Sequence, residues 1–144
     1  ILPDVVEVSG TIRTFNESLR KWIPEQMEKI LQGITASQGA TYEFCLEPSI
    51  PSLINDNKMT DIVRNASIKI LGEQNVFEAL KPDMGGEDFA YFAQEVPSSF
   101  FFVGICQDMK KPVVHHSPNF SWDDECLLTA AAVMAQTAVD YLNE

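Results

Sequence analysis

Val5-Val6-Glu7-Val8-Ser9-Gly10-Thr11-Ile12-Arg13 alternates. Val6, Val8 and Ile12 point one way, and Glu7, Ser9, Thr11 and Arg13 the other, which predicts a half-buried strand. Asn16 then offers a helix N-cap. Leu19, Trp22, Ile23, Met27, Ile30, Leu31 and Ile34 follow at helical spacing and give one apolar stripe. Pro24 lies within it and predicts a kink or a first turn, because proline removes a backbone donor. Gly39 ends the helix. Thr41 to Glu47 alternates again, with Tyr42, Phe44 and Leu46 on one face. The pattern is β-α-β, with the helix on the apolar face of the strands. Two strands and one helix make a thin core, so this unit requires further strands.

Beyond it the pattern changes. Pro48-Ser49-Ile50-Pro51-Ser52 reads as a linker. Asp56 can cap a helix carrying Met59, Ile62, Val63, Ala66 and Ile70, which Gly72 can end. Val76 to Leu80 predicts a short strand. Met84-Gly85-Gly86 predicts a flexible turn, followed by a short helix with Phe89, Phe92 and Val96 inward. Ser99 to Ile105 has no alternation and predicts a strand covered on both faces, as in a layered α/β fold. Cys106 to Phe120 reads as a long loop. Ser121-Trp122-Asp123-Asp124 fits a capping box ahead of a last helix to about Tyr141. That helix is apolar nearly all round, which predicts deep packing.

Composition narrows the function. The chain has 144 residues and is 45% hydrophobic, enough for a packed core. Ten basic residues stand against 21 acidic ones, a net charge of −11. Such a chain repels a phosphate backbone, so nucleic acid and anionic membranes are excluded as partners. No apolar run approaches the roughly 20 residues of a membrane span. Ile1-Leu2-Pro3-Asp4 has neither the basic start nor the apolar core of a signal peptide. The missing initiator Met reads as a fragment or a trimmed chain. Cys45, Cys106 and Cys126 are odd in number and form no C-x-x-C pair, which predicts reduced thiols and a cytoplasmic location.

Three clusters offer chemistry. His115 and His116 are adjacent, and neighbouring side chains on extended backbone diverge, so one metal ion would not take both. Gly85-Gly86-Glu87-Asp88-Phe89 places two acids after two glycines. This is either a helix start complementing the dipole or an acidic group lining a cleft. Arg13 is either a solvated arginine or a guanidinium that grips a substrate carboxylate with paired hydrogen bonds. No G-x-S-x-G elbow, P-loop or dinucleotide fingerprint is present.

The order of these clusters carries a resemblance. Gly10-Thr11-Ile12-Arg13-Thr14-Phe15, Asn55-Asp56, Met84-Gly85-Gly86-Glu87-Asp88-Phe89, Phe101-Phe102-Val103-Gly104 and His116-Ser117-Pro118-Asn119-Phe120 follow one another. Together they resemble the C-terminal part of the dinuclear metal-dependent amidohydrolases: aminoacylase, hippurate hydrolase, indoleacetyl-amino-acid hydrolase and carboxypeptidase G-like enzymes. The resemblance implies a fold that is part α/β, part α+β. Residues 1–50 would be the second half of a ferredoxin-like lid and dimerisation domain. Residues 54–144 would be the C-terminal segment of the layered α/β catalytic domain.

It also implies hydrolysis of the amide of N-acyl amino acids or peptides. Two divalent ions, zinc or a substitute such as manganese, cobalt or nickel, share a water whose pKa they lower, and a glutamate acts as general base. By the motif match His116 is a metal ligand, with His115 second choice. Glu87 is the acidic residue of the motif near the site, and Arg13 the residue that meets the substrate carboxylate. A homodimer through the lid is implied. The family's His-x-Cys-Gly-His-Asp segment and Glu-Glu pair are absent from these 144 residues. A catalytic zinc needs about three protein ligands, so this chain alone is expected to be inactive and to bind metal weakly. Two readings of other classes compete: a dimerisation or partner-binding module, and a small-molecule binding domain built on the Gly85-Gly86 turn.

Overall fold

A computed structural model describes residues 3–47, 50–79, 81–105 and 115–143. Leu80, part of the proposed linker at 48–49, Cys106 and most of the loop after it lie outside the described residues. Among the described residues there are four α-helices: α1 (Glu17–Gln38), α2 (Asn57–Leu71), α3 (Phe89–Glu95) and α4 (Glu125–Leu142). Glu73–Asn75 adds one 3₁₀ turn after α2. The chain divides into two compact units. The first comprises Ile1–Leu53 with Pro82–Tyr91, the second Ile54–Lys81 with Phe92–Glu144. The expected division kept 54–144 together; in the structure the glycine-rich turn groups with the N-terminal residues. Two contacts within the first unit account for this. Arg13 donates to the Met84 carbonyl, and the Ile50 side chain approaches Gly86, 3.8 Å from where a Cβ would stand.

In the first unit, the caps of α1 are those the sequence offers. The Asn16 side chain accepts from the Ser18 and Leu19 amides at 2.8 and 3.2 Å. Gly39 takes a left-handed φ of 65°, and Ala40 N–H returns to the Thr35 carbonyl at 3.0 Å, a Schellman closure. The helix runs unbroken through Pro24. Arg20 forms paired bonds to the Glu17 carboxylate one turn back, and this holds Glu17 below the usual carboxylate range.

The predicted strands are corrected. Residues 5–13, 41–47, 76–79 and 99–105 form no ladder among the described residues. Alternation encodes which face a strand would bury, but a ladder needs a neighbouring backbone at the right spacing. Here Val8 is 89% exposed, and no residue of α1 is buried. The apolar stripe of α1 is real but largely exposed among the described residues: Ile23 and Leu31 are half-buried, while Leu19, Trp22, Met27, Ile30 and Ile34 are exposed.

In the second unit, α2 packs on α4. Ile62, Val63 and Ala66 of α2 and Val133 of α4 are buried. Ser67 joins them because its hydroxyl donates to the Val63 carbonyl at 2.7 Å and is satisfied there. At the far end of the pair, Lys69 reaches Asp140 at 2.7 Å, and Gln136 donates to the same oxygen at 2.9 Å. The N-terminus of α2 is capped by Asp56, which accepts from Met59 N–H at 2.9 Å.

An extended segment is fixed against that end. The Asn55 amide donates to the Phe100 carbonyl and accepts from the Phe100 N–H, both at 2.8 Å. Asp56 N–H donates to the Ser98 carbonyl at 2.8 Å. One side-chain amide thus makes the pair of bonds that a strand neighbour would make.

Three further expectations are corrected. Phe92 and Val96 of the α3 region are exposed, and Ala90 is the buried residue there. α4 buries Val133 but leaves Leu127, Leu128 and Met134 open, so it is apolar without being deeply packed. Its N-cap is Asp124, which makes no side-chain cap bond, and just ahead of it the Asp123 carboxylate accepts from Glu125 N–H at 3.0 Å. The helix begins at Glu125, later than the capping-box pattern implied.

Candidate functional site

The first candidate feature lies on the turn before α3. Asp83 accepts from the Gly85 N–H at 2.5 Å. A Cβ on Gly85 would stand 2.6 Å from that same oxygen, so a side chain here would displace the Asp83 carboxylate. Arg13 donates through a terminal guanidinium nitrogen to the Met84 carbonyl at 3.0 Å. Glu87 is half-buried, and its carboxylate accepts a long 3.4 Å bond from Phe89 N–H. The carboxylate thus caps the helix start weakly and keeps accepting capacity. The structure brings Arg13 and the glycine-rich motif into one unit, 71 residues apart in sequence. Sequence reasoning saw both and missed that a backbone carbonyl joins them.

A separate candidate feature, in the other unit, is the turn at His115 to Phe120. Phe120 N–H donates to the Ser117 carbonyl at 3.0 Å, and Asn119 N–H to the Ser117 hydroxyl at 3.2 Å. His115 packs edge-on to Phe120, ring centres 5.3 Å apart, and Phe120 in turn packs edge-on to Trp122 at 5.3 Å. His116 differs. Its φ is +60°, the one left-handed non-glycine residue among those described. Such backbone costs an L-residue about 1–2 kcal/mol and concentrates at functional positions. The two neighbouring imidazoles are thereby separated: His115 is engaged with an aromatic string, and His116 sits on strained backbone.

One imidazole does not make a metal centre. Among the described residues no group of three His, Cys, Asp or Glu side chains converges to hold an ion. His116, the residue the resemblance makes a ligand, belongs to no such group among the described residues, and a catalytic zinc takes about three protein ligands. Cys45, exposed, and Cys126, half-buried, are free thiols. No helix among the described residues is long and apolar enough to cross a membrane.

Comparison with known proteins gives these pieces a frame. The chain is 35% identical over 139 residues to an N-acetylcysteine deacetylase of Bacillus subtilis, covering 96% of this chain and 35% of that protein. It is 33% identical over 146 residues to thermostable carboxypeptidase 1 of Saccharolobus solfataricus, covering 100% of this chain and 36% of that protein. It is 32% identical over 149 residues to an IAA-amino acid hydrolase of Arabidopsis thaliana, covering 100% of this chain and 34% of that protein. A crystal structure of a protein from methicillin-resistant Staphylococcus aureus, named as an aminohydrolase, superposes with a TM-score of 0.70 at 29% identity. That match covers 88% of this chain and 32% of that one. The chain thus spans about a third of the length of the curated relatives it matches. Residues 5–140 match the family model described as peptidase family M20/M25/M40, so the match takes in Arg13, the Gly85-Gly86 turn and His116, and the chain belongs to that family.

Proposed function

We propose that this chain supplies part of the active site of a metal-dependent amidohydrolase that cleaves the amide of N-acyl amino acids. The observation that carries the reading is the match over residues 5–140, with relatives named as a deacetylase, an amino acid hydrolase and a carboxypeptidase. All three names describe cleavage of a bond between an acyl group and an amino acid nitrogen.

The roles follow from chemistry. His116 offers a neutral imidazole to one of two divalent ions, zinc or manganese, cobalt or nickel in its place, and its left-handed backbone supports that assignment over His115. Such an ion, when bound, polarises the scissile carbonyl. Arg13 grips the α-carboxylate of the substrate: one guanidinium nitrogen is committed to Met84, and further donors remain in the planar fork. Glu87 places a carboxylate near the reacting amide, its oxygens only weakly engaged. Residues 1–50 serve as half of a ferredoxin-like lid through which the protein forms a homodimer in the cytoplasm. The largely exposed stripe of α1 and the unladdered segment with Val8 support that reading, since both need further structure to pack on.

The test is turnover of N-acetyl amino acids by the native protein, before and after chelation. Activity that disappears with chelator and returns with zinc or manganese is expected. Turnover indifferent to chelation, or none with any of these metals, refutes the proposal. The isolated 144-residue chain is expected to be inactive; robust turnover by it would refute the view that the remaining ligands come from elsewhere.

A further inference from the structure

The Met84–Gly85 peptide group is held at both of its polar atoms. Its carbonyl oxygen accepts from the Arg13 guanidinium at 3.0 Å. Its N–H donates to the Asp83 carboxylate at 2.5 Å. A cation faces the negative end of the peptide dipole and an anion the positive end, so both bonds are charge-assisted and act in the same sense. The plane of one peptide fixes the direction in which the chain leaves it. Gly86 follows directly, with Ile50 beside it, and Glu87 comes next, before α3 begins. The clamp does not restrain Glu87 through its own side chain; it restrains the backbone that delivers it. Its two charged members come from distant sequence, Asp83 from the turn itself and Arg13 from the extended segment before α1.

We propose that Arg13 is a positioning residue for the Met84–Glu87 turn, in addition to meeting the substrate carboxylate. This deepens the amidohydrolase reading and, for its effect on turnover, rests on it. Two consequences distinguish the roles. A carboxylate grip acts only on substrates that carry the carboxylate, and its loss appears in KM. A clamp on the turn acts before substrate arrives, so its loss appears in kcat and extends to substrates whose α-carboxylate is replaced by a carboxamide.

The experiment is amide hydrogen exchange on the metal-loaded native protein and its Arg13→Gln and Arg13→Lys variants, together with turnover of an N-acetyl amino acid and its carboxamide. Removing the guanidinium is expected to speed exchange at Gly85, whose N–H the Asp83 carboxylate holds, roughly tenfold, the size of one lost charge-assisted bond, with α2 and α4 unchanged. The lysine variant keeps the charge but loses the planar fork, and is expected to fall between. It carries the same comparison if the glutamine variant unfolds globally. In turnover, kcat is expected to fall for both substrates. Unchanged exchange at Gly85 in both variants, or a loss confined to KM with the carboxylate substrate, overturns the clamp. Failure of the wild type to hydrolyse any N-acyl amino acid would refute the proposed function and leave the exchange result to decide the clamp by itself.

Discussion

His116 pits stability against function in a way that can be measured. Its φ of +60° costs an L-residue about 1–2 kcal/mol, which glycine does not pay. Glycine in turn gives up about 0.5–1 kcal/mol of unfolded-chain entropy. The difference leaves His116→Gly more stable than wild type by roughly 0.5–1 kcal/mol in metal-free protein, about 1–4 °C in Tm. His116→Asn, which tolerates the left-handed region, is expected within a few tenths of a kcal/mol of wild type. His116→Ala keeps the strain and removes only the ring, so it is expected to lie within about 0.5 kcal/mol. Metal affinity should behave differently: all three variants lose the imidazole and should bind zinc at least tenfold more weakly, since even partners behind a ligand matter that much. The assay is chemical denaturation of the chelated native protein beside zinc titration of the same samples. If His116→Gly destabilises the metal-free protein by more than about 1 kcal/mol, the backbone argument is wrong. If His116→Ala binds zinc as tightly as wild type, the ring is not a ligand.

Other outcomes follow from single contacts. Asn55→Ala removes both 2.8 Å bonds to Phe100 and is expected to cost about 1–3 kcal/mol in urea denaturation, while Asn55→Asp, which sets a carboxylate against the Phe100 carbonyl, should cost at least as much. Gly39→Ala puts a Cβ on a residue at φ 65° with open space around it, so its cost of about 1 kcal/mol is backbone strain alone and should appear as a lowered Tm. Asp140 is held below the usual carboxylate range by its bonds to Lys69 and then Gln136. A lowered folded-state pKa contributes stability that is fully present above the unfolded value near 4 and lost as pH falls through the folded value. Asp140→Asn should therefore flatten the acid limb of the stability profile, leaving the slope above about pH 6 unchanged.

What local sequence could settle, it settled. Helices α1 and α2 begin at the side-chain caps their sequences offer, Asn16 and Asp56, and stop at Gly39 and Gly72, because capping and closure at a glycine of positive φ need only four or five neighbouring residues. The motif order placed the chain in its family for a similar reason: Arg13, the Gly85-Gly86 turn and His116 are short words that survive without their surroundings. Strands are another matter. The alternation from Val5 to Arg13 states which face would be buried, but a ladder is made with another backbone, and none among the described residues provides it. Only the tertiary structure decided that the Asn55 amide takes the place of a strand partner for Phe100. It alone separated His115 from His116, by an aromatic contact and a backbone angle that adjacent histidines do not reveal. It also turned Arg13 toward a carbonyl 71 residues away. Each of these depends on two segments meeting in space, and residue spacing along one chain carries no record of that meeting.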